Sequence, residues 1–395
     1  MSERIAITGI GIVSALGTGV AANRERLLHS ESGLSLLQKV ESTYQNKIVV
    51  GEVTATNQEL AQTLNLPTKH NYTRTALLGC IAAKEAVKQA GIEDIKEFKT
   101  GLVSATTVGG MDQTERYFRQ FATNPDTHRY ISSHHAGDST EKIADQLQIS
   151  EFTTTISTAC SSAANAIMLG ARLIKAGKLD RVVVGGTDAL SKFTLNGFKS
   201  LLLLSDDHCR PFDANRDGLN LGEAAAYLVL ESEKAAKGKQ ILGYVSGYGN
   251  ANDAHHQTAS SENGEGAFLA MQKALQVAGL KPSQIDYVNA HGTATPNNDL
   301  SESVALQRIF GENIPDFGST KAFTGHTLAA AGAVEAVFSI VALQEQQLFA
   351  NLNFTEPMPE TGLVPVQTLQ KKNLQYVLSN SFGFGGNCTS LIFNK

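Results

Sequence analysis

Phe152-Thr153-Thr154-Thr155-Ile156-Ser157-Thr158-Ala159-Cys160-Ser161-Ser162-Ala163-Ala164-Asn165-Ala166 passes from a β-branched run into a row of small residues. Threonine and isoleucine suit a pleated, half-buried surface, so 152–156 reads as a strand. Ala163 to Gly177 reads as a helix that stops at glycine. Cys160 then sits at a strand-to-helix junction. The positive end of a helix dipole favours thiolate there. Free N–H groups of the first turn are available to an oxyanion. The plainer reading of Cys160, taken alone, is a buried cysteine that packs as a small hydrophobe.

Outward from this junction, strands and helices alternate. Arg4–Ile10, Gly101–Ala105, Arg181–Gly186, Ala225–Leu230, Ile285–Asn289 and Tyr376–Ser379 read as strands. Arg74–Ala90, Gly264–Ala278 and Ala329–Gln344 read as helices, the first two ending at Gly91 and Gly279. Arg181-Val182-Val183-Val184-Gly185-Gly186 is apolar without alternation, as in a strand covered on both faces. The pattern predicts α/β architecture, with helix layers around buried sheets. The least periodic stretches are Asp206–Asp217 and the polar Asn250–Gly264. No strict repeat is evident. A weak echo remains: Cys160 and His326 each precede a helix of small residues, as a duplicated half-domain would place them.

Bulk properties narrow the class. The chain has 395 residues, 42% hydrophobic and 18% charged, enough for a substantial core in two to three domains or two fused halves. Its net charge of −5 argues against a nucleic-acid partner. No apolar run approaches the roughly 20 residues that span a bilayer. The N-terminus leads directly into a strand pattern, with no signal peptide expected. Cys80, Cys160, Cys209 and Cys388 show no paired spacing and read as reduced thiols of a cytoplasmic protein.

Three further motifs carry chemistry. His291-Gly292-Thr293-Ala294-Thr295-Pro296-Asn297-Asn298-Asp299 follows a strand, and its hydroxyls suit an amide-bearing ligand. His291 also reads as a structural histidine capping a turn. Lys321 and His326 flank a glycine turn ahead of an Ala/Gly helix that contains Glu335. The plain alternatives are a surface ion pair for Lys321 and a solvated helix face for Glu335. Asn380-Ser381-Phe382-Gly383-Phe384-Gly385-Gly386-Asn387 reads as a mobile loop with exposed N–H groups or as a tight terminal turn. Gly9-Ile10-Gly11 resembles a dinucleotide fingerprint, but Ser14 stands where its third glycine belongs. The pairs His134-His135 and His255-His256 lack ligand spacing for a metal.

Together these motifs resemble the β-ketoacyl-acyl carrier protein synthases, elongating condensing enzymes of fatty acid and polyketide synthesis. The resemblance spans nearly the whole chain, from Ile7-Thr8-Gly9-Ile10-Gly11 through Cys160, Pro211-Phe212-Asp213-Ala214-Asn215-Arg216-Asp217-Gly218, His291 and Lys321/His326 to Gly383-Phe384-Gly385-Gly386. It implies a thiolase-like fold, a duplicated five-layer αβαβα body. Residues 1–235 would form the half with the nucleophile and 236–395 the half with both histidines. The implied reaction is a decarboxylative Claisen condensation of an acyl-enzyme with malonyl-carrier protein. Carried over by resemblance, Cys160 is the nucleophile, and His291 and His326 face the malonyl thioester carbonyl. Cys160 and Phe384 N–H groups form the oxyanion hole, with Phe384 also the gate. Lys321 and Glu335 orient the histidines, and Thr293 and Thr295 contact phosphopantetheine. Val108, Phe193 and Phe198 line or approach the acyl pocket. Glu335 is also counted with the substrate-binding set. No resident cofactor or metal is implied, because the substrates carry phosphopantetheine on acyl carrier protein.

The second histidine separates the chain from thiolases and from the coenzyme-A-primed initiating synthases, in which position 326 would be asparagine. Cys160 itself argues against a non-catalytic chain-length factor. Departures occur at Gly386-Asn387-Cys388-Thr389, where the commoner family form has Gly-Thr-Asn, and at Ala294 and Asn297-Asn298. They raise an alternative: the ketosynthase subunit of an aryl-polyene or pigment pathway. The expected partners are acyl carrier protein and a second subunit, in a homodimer or a heterodimer with a chain-length-factor homologue. An acidic carrier protein meeting a net-negative chain needs a local basic patch. Lys69, His70, Arg74 and Lys199 are its candidates, or ordinary solvated positions.

Overall fold

A computed structural model describes residues 4–395. Residues 1–3, the head of the N-terminal stretch, lie outside the described residues. Ten principal strands are present: β1 (Ile5–Ser14), β2 (Thr100–Ala105), β3 (Phe152–Ile156), β4 (Arg181–Asp188), β5 (Ala224–Glu231), β6 (Gly243–Asn252), β7 (Tyr287–Asn289), β8 (Asp316–Gly318), β9 (Tyr376–Phe382) and β10 (Asn387–Asn394). The principal helices are α1 (Arg74–Gln89), α2 (Ala136–Leu147), α3 (Ser162–Lys175), α4 (Lys192–Ser200), α5 (Glu265–Ala278), α6 (Pro296–Phe310) and α7 (Ala331–Glu345).

The strands run in the order β8-β7-β9-β10-β6-β1-β5-β4-β2-β3, and Gly17–Thr18 folds back on β1. This order contains one unit twice. Counted within each half, the sequence is third, second, fourth, fifth, first: β3-β2-β4-β5-β1 and β8-β7-β9-β10-β6. The pairing senses repeat as well. β2 is parallel to β3 and β4, and β5 is antiparallel to β4 and β1. β7 is likewise parallel to β8 and β9, and β10 is antiparallel to β9 and β6. β1 and β6 join the units through Ile5↔Val245 and Ala6↔Tyr244.

The helices complete five layers. α1 and α2 cover the outer face of the first sheet unit, and α5 and α6 cover the second. α3 and α7 lie between the units and touch strands of both. This is the thiolase-like duplicated αβαβα fold. Small residues make the layers close enough to pack. A Cβ on Gly9 or Gly11 would lie 2.1 Å from a carbonyl oxygen of α1, and one on Gly247 or Gly249 would lie 2.5 or 2.2 Å from a carbonyl of α5. The pair at 9 and 11 thus serves helix-on-strand contact. Its counterpart is Gly247-Tyr248-Gly249, a duplication the linear pattern does not advertise. Segment Leu328–Glu345 is the one stretch among the described residues that is long and apolar enough, by length and composition, to cross a bilayer, which corrects the expectation of none. It is 89% buried inside the middle layer.

Candidate active site

The strand β3 ends at Ile156 and α3 begins at Ser162, so Cys160 occupies the connecting elbow. Ala159 holds φ at +51°, a left-handed conformation that a side chain larger than alanine would aggravate. The elbow is laced to its own helix. The Thr158 N–H donates to Ser162 Oγ at 2.8 Å, and that hydroxyl donates to the Ala159 carbonyl at 2.5 Å. Dipole and position alone would favour thiolate. Burial wins instead and pushes the Cys160 thiol up to about 12, against the smaller pull of Lys321 and of the Phe384 N–H aimed at the sulfur. At rest Cys160 is a thiol, contrary to the expectation from the helix terminus.

The two histidines arrive from the other half. His291 follows β7, and its turn is held by Glu302 of α6. The carboxylate accepts the His291 N–H at 2.9 Å, the Gly292 N–H at 2.8 Å and Asn380 Nδ2 at 3.0 Å. Burial raises Glu302 to about 7. His326 is positioned through its backbone, which donates to the Asn220 carbonyl at 2.7 Å and accepts from Gly222 at 3.0 Å. Its Nε2 lies 2.9 Å from Cys160 Sγ. The two imidazoles meet edge to face with centroids 5.3 Å apart. Burial, with Lys321 nearby, drives both imidazoles well below the ordinary histidine value, so both are neutral.

Lys321 is neither exposed nor in a surface pair. It is 2% exposed. An ammonium has three N–H bonds, and three acceptors surround it: a Glu335 carboxylate oxygen, the His291 carbonyl and His291 Nδ1 at 3.2 Å. Donation to Nδ1 places the proton of neutral His291 on Nε2. Glu335 is buried on α7, not on a solvated face, and burial raises it to about 7 against the opposing pull of Lys321. It does not line the cavity.

A cavity of about 270 Å³ opens onto Cys160, His291 and His326. Thr293, Thr295, Phe198 and Phe384 also line it. The Thr293 and Thr295 hydroxyls lie 2.9 Å apart. The Phe198 and Phe384 rings stack with centroids 5.7 Å apart and planes at 20°. Val108 is not among the lining residues; its N–H points to Asp188 Oδ1 at 3.4 Å. Phe193 is 60% exposed on α4 and also lies outside the cavity. Of the basic candidates, Lys69 is exposed and Lys199 partly so. Arg74 is largely but not fully buried, its side chain 11% exposed in a two-bond pair with Glu223. His256 lines the cavity mouth and accepts the Thr258 N–H on Nδ1.

Sequence reading missed several supporting groups. Asp188 ends β4 and accepts both Thr106 and Thr107 hydroxyls and the Ala329 N–H, tying the first half to the segment after His326. Asp299 accepts the Phe212 and Ala294 N–H groups and so links the 211–218 motif to the His291 motif. A lone acid closing an apolar strand, as at Asp188, was the available signal.

Comparison with known proteins agrees with this geometry. The description "Beta-ketoacyl synthase, N-terminal domain" matches residues 2–236 and "Beta-ketoacyl synthase, C-terminal domain" matches 242–355. The chain is 32% identical to 3-oxoacyl-[acyl-carrier-protein] synthase 2 of Staphylococcus aureus strain N315, over 100% of this chain and 99% of that one. Among solved structures, the ishigamide ketosynthase/chain length factor is similar at TM-score 0.93 and 29% identity, covering 100% of both chains. A ketosynthase in complex with its chain length factor from Xenorhabdus doucetiae is similar at TM-score 0.84 and 33% identity, covering 99% of this chain and 98% of that one. A nucleophile elbow and two neutral histidines, brought together by a duplicated fold and matched along nearly the full length, establish that the chain belongs to the β-ketoacyl synthase family.

Proposed function

We propose that the chain is a β-ketoacyl-acyl carrier protein synthase in which residues 1–235 supply the nucleophile and 236–395 supply both histidines. The observation that carries this reading is the approach of His326 Nε2 to Cys160 Sγ beside a His291 whose tautomer is fixed. In the first half-reaction the Cys160 sulfur bonds to the acyl carbonyl carbon and the carrier's C–S bond breaks. The thiol proton passes through His326 Nε2 to the departing pantetheine sulfur. Among the described residues no neighbour fixes His326 Nδ1, so its proton can sit on either nitrogen. The Cys160 and Phe384 N–H groups hold the developing oxyanion.

In the second half-reaction the malonyl C–C bond breaks and carbon dioxide leaves. The electron pair becomes an enolate whose oxygen accepts from Nε2–H of His291 and His326. The enolate carbon then bonds to the acyl carbon, the acyl–sulfur bond breaks, and a solvent proton restores the Cys160 thiol. Lys321 and Glu335 act through His291. The Thr293 and Thr295 hydroxyls hold the pantetheine amide. This scheme calls on no resident cofactor or metal.

The substrates are read as thioesters of an acyl carrier protein, as the name of the Staphylococcus aureus relative indicates for that enzyme. Lys69, His70 and Lys199 remain the docking candidates. All four cysteines are unpaired thiols, which supports a cytoplasmic setting. A dimer is expected. A second reading, a ketosynthase paired with a chain-length factor, is favoured by the two ketosynthase/chain length factor structures it resembles. Intact-mass analysis after mixing with acyl- and malonyl-carrier protein tests the function. Acyl mass on wild-type Cys160 and β-ketoacyl product are expected. Full turnover by Cys160→Ala would sink the reading. The native mass of the purified chain, alone and with a co-expressed chain-length factor, separates the two assemblies.

A further inference from the structure

The segment where the sequence departs from the family form, Asn387-Cys388-Thr389, builds a polar cluster behind the nucleophile elbow. Asn387 Oδ1 accepts from Ser161 Oγ at 2.7 Å, Asn165 Nδ2 at 2.9 Å and Asn250 Nδ2 at 2.9 Å. Asn165 Nδ2 also reaches Thr158 Oγ1 at 2.9 Å, and its Oδ1 accepts Thr389 Oγ1 at 2.8 Å. The cluster therefore joins the elbow, α3, β6 and β10. Three donors converging on one oxygen set which way the Asn387 amide faces.

Asn387 is also the base of the Gly383–Gly386 loop. Its carbonyl accepts the Gly383 N–H at 2.9 Å, which closes the loop on itself. Gly383 rests on the elbow so closely that a Cβ would lie 2.8 Å from the Thr158 carbonyl and 3.1 Å from the Cys160 nitrogen. Beyond these anchors Gly385 and Gly386 hold φ near +80°, a backbone that favours glycine, and the tip is tied to the neighbouring segment by the Gly385 N–H to the Gln257 carbonyl at 2.8 Å and by Asn252 Nδ2 to the Gly385 carbonyl at 3.0 Å. The backbone N–H of Phe384, aimed at the Cys160 sulfur, is thus hung from a base that Asn387 ties to the elbow directly through Ser161 and indirectly through Asn165 and Thr158.

We infer that Asn387 is a positioning residue for acyl transfer: its bond to Ser161 fixes the Phe384 N–H against the Cys160 sulfur. This inference rests on Cys160 being the acyl acceptor. In that step the probe's C–S bond breaks, the Cys160 C–S bond forms and the thiol proton passes to the departing sulfur. Only the oxyanion depends strongly on the Phe384 N–H. For alkylation it is one minor pull on the Cys160 thiol beside the dominant effect of burial, and decarboxylation of malonyl-carrier protein does not use it.

The test compares three rates in the full-length protein: acylation of Cys160 from octanoyl-pantetheine thioester, alkylation of Cys160 by iodoacetamide, and carbon dioxide release from malonyl-carrier protein. A displacement of about 1 Å costs on the order of a hundredfold, so Asn387→Ala should slow acylation roughly ten- to a hundredfold. The other two rates should stay within about threefold. Ser161→Ala cuts the same bond from the other side, together with the Ser161 hydroxyl's bond to the Thr158 carbonyl at 2.8 Å, and carries the same expectation if Asn387→Ala does not fold. The double variant should acylate no more slowly than the worse single. Unchanged acylation in a folded variant, an equal fall in all three rates, or additive losses overturn the inference. Failure of the wild-type chain to acylate Cys160 would instead count against the function itself.

Discussion

His326 Nε2 and Cys160 Sγ stand 2.9 Å apart although 166 positions separate the residues. Both precede the middle-layer helix of their own half, so duplication of one unit places them face to face. Each is buried, and burial acts on the two in opposite senses: it raises the thiol and lowers the imidazole. The resting pair is therefore thiol and neutral imidazole, not thiolate and imidazolium.

A pH profile of alkylation checks this. Iodoacetamide reacts with thiolate. With the Cys160 thiol raised to about 12, the rate should keep climbing from pH 7 to 10 without a plateau. A plateau near neutral pH would indicate an ion pair. Stability follows the same linkage. Cys80, Cys160 and Cys209 are each raised to about 12. Their contribution is complete below the unfolded thiol value of about 8.5 and is lost as pH rises toward 12. The urea midpoint should accordingly be lower at pH 10 than at pH 7.5.

Lys321→Ala removes the donor that holds His291 in its Nε2–H tautomer and leaves Glu335 buried without its partner. Breaking a buried pair from one side costs about 3–5 kcal/mol, so a clear drop in melting temperature is expected. Malonyl decarboxylation should fall further than acyl transfer, because the proposed mechanism uses His291 only in the former. In the wild type, decarboxylation should show no acid limb near pH 6.5, since both histidines are neutral well below that point. Such a limb in the measured rate would contradict the assignment.

Phe198→Ala removes the ring against which Phe384 stacks. Aromatic pairs contribute about 0.5–1.5 kcal/mol beyond area, so the loop population should shift by roughly three- to tenfold toward open forms. Bulky maleimides should then modify Cys160 faster, while small iodoacetamide gains little. Equal acceleration of both reagents would mean that the elbow itself had loosened.

Much of this was legible in order. Val182-Val183-Val184 announces a doubly covered strand and becomes β4, whose residues are all buried. The Cys160, His291 and His326 motifs stand out because each couples a reactive side chain to a turn and small residues. Other elements were hidden by their chemistry. β10 begins with Asn387, Thr389 and Ser390, polar side chains that satisfy one another inside the protein and so lack a strand's apolar signature. β6 opens as Gly243-Tyr244-Val245-Ser246-Gly247-Tyr248-Gly249, where glycine makes room for α5 and reads locally as turn. The burial of Lys321 and Arg74 was equally out of reach, because each depends on a carboxylate from a distant element, Glu335 or Glu223.

Two glycine substitutions separate packing from catalysis. Gly332 opens α7 against α3, and a Cβ there would lie 2.7 Å from the Ala164 nitrogen and 2.9 Å from Ser381 Oγ. Overpacking of this kind costs about 1–3 kcal/mol, so Gly332→Ala should lower the melting temperature. Gly383 has φ at −111°, a backbone that alanine accepts freely. Its difficulty is local: the new methyl would press on the Thr158 carbonyl and the Cys160 nitrogen. The Phe384 N–H would be driven away from the sulfur with little strain elsewhere. Gly383→Ala should therefore keep its melting temperature within a few degrees yet lose acyl transfer by on the order of a hundredfold or more, the usual effect of one misplaced oxyanion donor. A calorimetric scan beside an acylation assay reads both quantities, and a Gly383→Ala protein that acylates at the wild-type rate would show that the loop does not set the oxyanion site.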